Sequence, residues 1–118
     1  MIPRRKAVHM AESITIDEFK RLDLRVGEVT SCERVEGTDR LFKLTVDLGT
    51  ETRQLVAGIA AYYEPDELLG KQIIVVCNLQ PAVIRGVESQ GMLLATKDSE
   101  VLGVLTPDRR VKNGSKIS

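Results

Sequence analysis

Apolar and polar side chains alternate along most of this chain, and the period is that of strands. The cleanest run is Phe42, Leu44, Val46 and Leu48, separated by Lys43, Thr45 and Asp47. One face is apolar and the other polar, as in a half-buried antiparallel strand. Upstream, Leu22, Leu24 and Val26 alternate with Asp23, Arg25 and Gly27, and Val29 resumes one residue out of phase. A phase slip beside a glycine predicts a β-bulge or a sharp bend. Thr52 to Ile59 predicts a third strand. Lys71 to Leu79 predicts a fourth, and its Ile73-Ile74-Val75-Val76 run reads as buried on both faces. Asn78 to Gly86, which contains Pro81, reads as a loop. Ser89 to Thr96 and Val101 to Leu105 complete the strands. Turn sequences at Glu36-Gly37-Thr38-Asp39, Gly49-Thr50-Glu51 and Lys97-Asp98-Ser99-Glu100 separate the runs.

Two segments break the strand period. Thr15 and Glu18 have the spacing of a capping box, and Ile14 and Phe19 that of a hydrophobic staple, so a helix is expected from Ile16 to about Arg21. Tyr62 to Gly70 reads as a helical insert. Pro65 suits its first turn, Asp66 and Glu67 its positive end, and Gly70 its stop. A small all-β chain resolves its open sheet edges by closing into a barrel. A helix between strands three and four of a five-stranded barrel is the plan of the oligonucleotide/oligosaccharide-binding fold, or OB-fold. The expected class is therefore all-β, a five-stranded OB-fold barrel with a leading N-terminal helix and a helical insert between strands three and four.

The 118 residues fit a single domain. Residues 1–12 show no periodicity and read as an N-terminal tail, non-native or disordered, with His9-Met10-Ala11 either a cloning junction or a second natural start at Met10. Residues 13–118 read as the domain with a C-terminal extension. The longest apolar run, Ile73 to Cys77, is too short to span a bilayer, and no apolar stretch follows Arg4, Arg5 and Lys6 as a signal peptide requires. Cys32 and Cys77 match no metal spacing and suggest reduced thiols in the cytoplasm.

Lys+Arg and Asp+Glu each number 17, so the formal net charge is zero. The balance conceals a pattern. Residues 1–6 carry Arg4, Arg5 and Lys6 with no acid, and residues 109–118 carry Arg109, Arg110, Lys112 and Lys116 with no acid. Basic ends flank an acidic middle. Either both ends are solvated tails, or they meet in the fold as a positive patch.

Catalytic patterns are missing. The single His9 lies in the tail without an acid partner or a nucleophile at a meaningful spacing. No nucleophile elbow, P-loop or dinucleotide fingerprint occurs. Gly86 and Gly91 precede strand sequence, whereas a phosphate cradle needs a following helix N-terminus. No enzyme activity, metal or cofactor is expected. Phe19, Phe42, Tyr62 and Tyr63 are the aromatic residues. The staple uses Phe19 and the strand face uses Phe42, which leaves at most two stacking platforms. Binding of single strands on an OB barrel usually needs more. Recognition of folded RNA by shape and backbone charge needs fewer. Lys20, Arg25, Arg34, Arg40, Lys43, Arg53 and Arg85 are candidate phosphate contacts.

Several blocks in order resemble the tRNA-binding domain family. They are Asp23-Leu24-Arg25-Val26-Gly27-Glu28-Val29, Asp39-Arg40-Leu41, Val46-Asp47-Leu48-Gly49 and Val56-Ala57-Gly58-Ile59-Ala60. Further along come Tyr63-Glu64-Pro65 through Gly70-Lys71, Asn78-Leu79-Gln80-Pro81, and Arg85-Gly86-Val87-Glu88-Ser89-Gln90-Gly91-Met92. The resemblance covers about residues 14–107. The family includes the C-terminal domain of methionyl-tRNA synthetases, an endothelial-monocyte-activating polypeptide, a free-standing bacterial tRNA-binding homodimer and a secretion-associated chaperone. The resemblance implies an OB-fold that binds the outside corner of folded tRNA without regard to its sequence. It also implies a homodimer and an accessory, beta-subunit-like partnership with methionyl-tRNA synthetase. Family tRNA-contact positions fall on Arg40, Asn78, Arg85, Ser89 and Met92. Arg40 and Arg85 would pair with phosphates, Asn78 and Ser89 with phosphate or sugar hydroxyls, and Met92 would make an adaptable apolar contact. Two departures stand out. Val35-Glu36 replace a His-Pro pair, and Ala82-Val83 replace two basic residues found in many members. The second departure weakens salt-dependent binding, and it motivates the alternative of a protein-interaction or chaperone-like module.

Overall fold

A computed structural model describes residues 12–118. Residues 1–11, with Arg4, Arg5, Lys6 and His9, lie outside the described residues, as does most of the expected tail.

The leading helix α1 is one turn, Ile16–Phe19. Its capping box forms as the sequence predicts. The Glu18 amide donates to Thr15 Oγ1 at 3.1 Å, and the Thr15 amide donates to Glu18 Oε1 at 2.9 Å. The staple partner Ile14 is 63% exposed, so the reciprocal cap rather than apolar contact fixes the start of this helix. The second helix, α2, is Pro65–Leu68. It sits where the insert was expected, with Pro65 in its first turn and Gly70 at a φ of 82° beyond its end. Leu68 is its one buried residue and anchors it to the core.

Five strands form the barrel sheet. They are β1 (Leu24–Arg34), β2 (Phe42–Asp47), β3 (Thr52–Ala57), β4 (Gln72–Val76) and β7 (Met92–Leu93), in the spatial order β3-β2-β1-β4-β7. All neighbouring pairs are antiparallel. Phe42, Leu44 and Val46 are buried and alternate with half-buried polar residues, as their period demands. They join Val29, Leu55, Leu68, Ile73 and Val75 in one core. Between strands three and four runs α2, so the fold is a nearly closed OB-type barrel.

The bulge in β1 is present, but it is not beside Gly27. Val29 pairs with Val46 and Ser31 with Thr45, which leaves Thr30 as the extra residue. The phase slip has another cause. Leu24 and Val26 are buried on the face opposite Val29, outside the main core, so this half of the strand is apolar on both sides. Gly27 has its own reason: a Cβ there would strike the Val46 side chain and come within 2.9 Å of Leu48.

Two hairpins complete the chain. The segment expected to be a loop before Gly86 contains β5 (Ala82–Ile84), which pairs with β6 (Val87–Ser89). The long strand expected from Ser89 to Thr96 is broken at Gln90-Gly91 and again after Leu93. Its end becomes β8 (Ala95–Lys97), which pairs with β9 (Leu102–Val104) across the predicted turn. The basic C-terminus is not a solvated tail. It lies along β1, where the Val26 amide donates to Ser115 O at 2.9 Å and the Ile117 amide to Leu24 O at 2.9 Å. Buried Gln72 fastens it further, accepting from the Val111 amide and donating to Asn113 Oδ1.

Candidate functional site

The hairpin β5–β6 builds one wall of a groove. Its turn is Arg85-Gly86, with φ values of 53° and 80°. Two successive positive φ values match the two-residue turn whose twist fits paired strands. Arg85 accepts a backbone conformation that is uncommon for a side chain of its size, and its guanidinium stands at the exposed tip. Beside the hairpin is an apolar groove of about 520 Å³, lined among others by Val56, Ile59, Leu79, Ile84, Ser89 and Met92. On the hairpin's other side, a polar depression of about 550 Å³ is lined by Glu33, Arg34, Glu36, Lys43, Arg85 and Val87.

Of the five positions implied by the resemblance, Ser89 and Met92 line the apolar groove and Arg85 the polar depression, whereas Arg40 and Asn78 line neither. Met92 is 46% exposed and free to touch a ligand. Ser89 is 4% exposed, and its hydroxyl accepts from the Val56 amide at 2.9 Å while donating to Gly91 O at 3.0 Å. Asn78 precedes the groove residue Leu79. Its Oδ1 accepts from the Asp23 amide at 2.8 Å and its Nδ2 donates to Arg21 O at 2.6 Å. That side chain ties the start of β1 to the end of β4. Arg40 is exposed, and its carbonyl accepts from the Ala60 amide at 3.1 Å, close to where Gly58 and Ile59 enter the groove.

Ion pairing separates the candidate phosphate contacts. Arg25 pairs with Asp23, Arg34 with Glu64, Lys43 with Glu33 and Arg53 with Glu51. Lys20, Arg40 and Arg85 have no carboxylate partner among the described residues. The hydrogen bond from Arg25 to Asp23 raises its affinity for its proton further. Ala82 and Val83 occupy the outer strand of the hairpin, and Val83 is 71% exposed. Ala82 lines the groove, so its wall is apolar here.

The aromatic residues offer little stacking surface. Phe42 is fully buried beneath the Arg34 guanidinium, 5.3 Å from its ring centre. Tyr63 packs on the core, and its hydroxyl accepts from the Val104 amide at 3.1 Å. Tyr62 is partly covered by the Lys97 ammonium at 5.3 Å. Burial pushes both thiols up, Cys32 to about 11, so both are protonated at neutral pH and poor nucleophiles. Among the described residues, no group of three or more His, Cys, Asp or Glu side chains could hold a metal. No described helix is long and apolar enough to cross a membrane.

Sequence reasoning missed the contacts that close the barrel. The Gln90 amide donates to Gln54 O at 2.8 Å, Gln54 Nε2 donates to Glu88 O at 2.8 Å, and Arg53 reaches the carbonyls of Cys77 and Gln90. These residues are polar and follow no period, so no sequence signal marks them as partners.

Comparison with known proteins places these features in context. The family model described as "Putative tRNA binding domain" matches residues 24–116. The chain is 52% identical over 106 residues to a methionine–tRNA ligase of Thermotoga maritima, covering 90% of this chain and 17% of that protein. It is 51% identical over 106 residues to the methionine–tRNA ligase of Thermococcus kodakarensis, covering 90% of this chain and 14% of that protein. Among solved structures, a methionyl-tRNA-synthetase-related protein from Pyrococcus horikoshii superposes with a TM-score of 0.86 at 38% identity, covering 92% of this chain and all of that one. The chaperone CsaA from Bacillus anthracis superposes with a TM-score of 0.81 at 31% identity, covering 91% of this chain and all of that one.

Proposed function

The chain belongs to the tRNA-binding domain family, and from that premise we propose that it recognises folded tRNA by shape and backbone charge. It is a non-catalytic tRNA-binding OB-fold module related to a small part of the methionine–tRNA ligases and to the CsaA-type chaperones. The observation that carries the reading is the family match over residues 24–116, which spans the whole barrel. The geometry supports it. Among the described residues Arg40 and Arg85 pair with no carboxylate, Arg85 stands at the hairpin tip in the polar depression, and Met92 supplies an exposed apolar contact in the neighbouring groove. The scarcity of open aromatic faces favours folded RNA over single strands.

The fuller reading is a cytoplasmic homodimer that serves as an accessory, beta-subunit-like partner of methionyl-tRNA synthetase. The ligase relatives and the synthetase-related structural neighbour support it. In this reading Arg40 and Arg85 bind phosphates and Met92 packs on a sugar or base. Asn78 and Ser89 serve the site mainly by holding its loops, since their polar atoms are already engaged.

A gel-shift titration with bulk tRNA at two salt concentrations, against a single-stranded RNA of equal length, tests the reading. The expected result is preference for tRNA that weakens with salt, and a much weaker shift for the Arg40→Ala/Arg85→Asn double variant. Asn suits the positive φ at position 85. Equal shifts for both RNAs would refute shape recognition. One observation favours a second reading, an interaction module for extended peptide. The groove wall carries Leu79 and Met92 exposed, and two chaperone structures share the fold. Capture of an unfolded polypeptide without any tRNA shift would select that alternative.

A further inference from the structure

The seam of the barrel has an unusual construction. One edge of β3 pairs with β2 along its whole length. Its other edge faces β6 and β7, and no strand ladder joins them. Side chains do much of the joining. Ser89 Oγ meets the Val56 amide, the side chain of Gln90 accepts from the Gln54 amide at 3.0 Å, and Gln54 Nε2 meets Glu88 O. Arg53 extends this seam to a third segment. Its Nη1 donates to the carbonyl of Cys77, at the end of β4, and to that of Gln90 at 3.3 Å, between β6 and β7. Its Nε and Nη2 donate to Glu51 at 3.3 and 3.2 Å.

We propose that Arg53 is a positioning residue for the RNA-binding site, a clasp that fixes the β6–β7 connection and the end of β4 against β3 and so aims the hairpin carrying Arg85. The proposal rests on the tRNA-binding reading above. Three observations carry it. First, Arg53 has little left to offer a phosphate. Most of its N–H donors are occupied within the protein, and its side chain is 23% exposed. Second, the two carbonyls it holds adjoin site positions: Cys77 precedes Asn78, and Gln90 lies between Ser89 and Met92. Third, only a planar fork reaches both carbonyls while keeping its carboxylate. A lysine ammonium is a single point and forfeits the bridge.

The test is a double-variant cycle on the full chain, read by tRNA affinity, with amide hydrogen exchange of the free protein as the second readout. Arg53→Gln is expected to lower tRNA affinity by about tenfold. In the Arg85→Asn background the same change is expected to lower it by less than about twofold, because the two residues act through one hairpin. Arg53→Lys, which restores the charge, is expected not to restore affinity. In both Arg53 variants the Gln90 amide is expected to exchange faster while amides of the β1–β2 ladder keep their protection. Rescue by lysine, or additive losses with Arg85→Asn, would make Arg53 a direct phosphate contact and overturn the proposal. Unchanged exchange at Gln90 would overturn the clasp itself. Lost protection throughout the sheet would make Arg53 a general stabiliser and overturn it too. If the unaltered protein shifts no tRNA, the functional reading falls and the site role falls with it. The exchange data still decide whether the clasp exists.

Discussion

Arg85 and Ser89 lie in the same hairpin and do opposite things. The arginine stands at the tip with no carboxylate partner, whereas the serine is buried with both hydroxyl bonds made inside the protein. Ser89→Ala leaves the buried Val56 amide without its acceptor, which costs about 1–3 kcal/mol. Urea unfolding is expected to show that loss, while tRNA affinity measured below the transition stays close to normal. A large drop in affinity at unchanged stability would instead put the hydroxyl on the RNA. Asn78 follows the same logic. The family resemblance singles out these positions but cannot separate a contact from a strut, because burial is a property of neighbours distant in sequence. Cys32 gives a pH prediction. Burial raises its thiol from an ordinary 9.0 to about 11. The unfolded chain therefore ionises first, and this group's contribution to stability is fully present below 9 and lost as pH rises through about 11. Alkylation of Cys32 in the folded protein is expected to be slow at pH 8 and to climb steeply towards pH 11. A rate that saturates near pH 9 would contradict the burial.

At the scale of elements, the C-terminal segment departs most from what its sequence suggests. Val111 to Ile117 shows no apolar alternation and carries two lysines. It nevertheless lies along β1 through a bridge between Arg25 and Lys116, and Glu28 holds side chains at its start. Arg110 donates to Glu28 Oε1 at 2.6 Å, and Asn113 Nδ2 donates to the same oxygen at 3.2 Å. The turn that places it requires Gly114, which has a φ of 91° and sits so close to Leu48 that a Cβ would strike its carbonyl oxygen. Gly114→Ala is expected to destabilise the protein by about 1–3 kcal/mol and to free the Val26 amide to exchange. Protection of Val26 at its normal level would show that the segment tolerates the side chain. The capping box of α1 and the pattern of β2 were legible because their partners lie within a few residues. The β5 strand was not, since three residues behind Pro81 are too few to set a period.

For the whole molecule, zero net charge is the wrong guide to RNA binding. What matters is which cations remain unpaired and where they sit. With Arg40 and Arg85 as the phosphate contacts, the plot of log affinity against log salt is expected to have a slope of about −1.4 to −1.8 per protomer, since each contact contributes about 0.7–0.9. Arg85→Asn is expected to reduce the slope by one such step. A slope several times steeper would mean that the basic ends also engage the RNA. Sedimentation of the free protein, run alongside, gives the number of protomers over which the slope is counted.

The sequence by itself determined the class of fold, the helix between the third and fourth strands and the absence of familiar catalytic patterns. These follow from side-chain period, local caps and short motifs, which act between near neighbours. It also carried the family resemblance, because the order of the blocks is written along the chain. Tertiary structure alone decided which cations are free, which polar residues are struts, and that the basic C-terminus lies along β1. Each of these depends on partners tens of residues away. The Arg53 guanidinium meets carbonyls of Cys77 and Gln90, and the Ser115 carbonyl meets the Val26 amide, only after the barrel has closed.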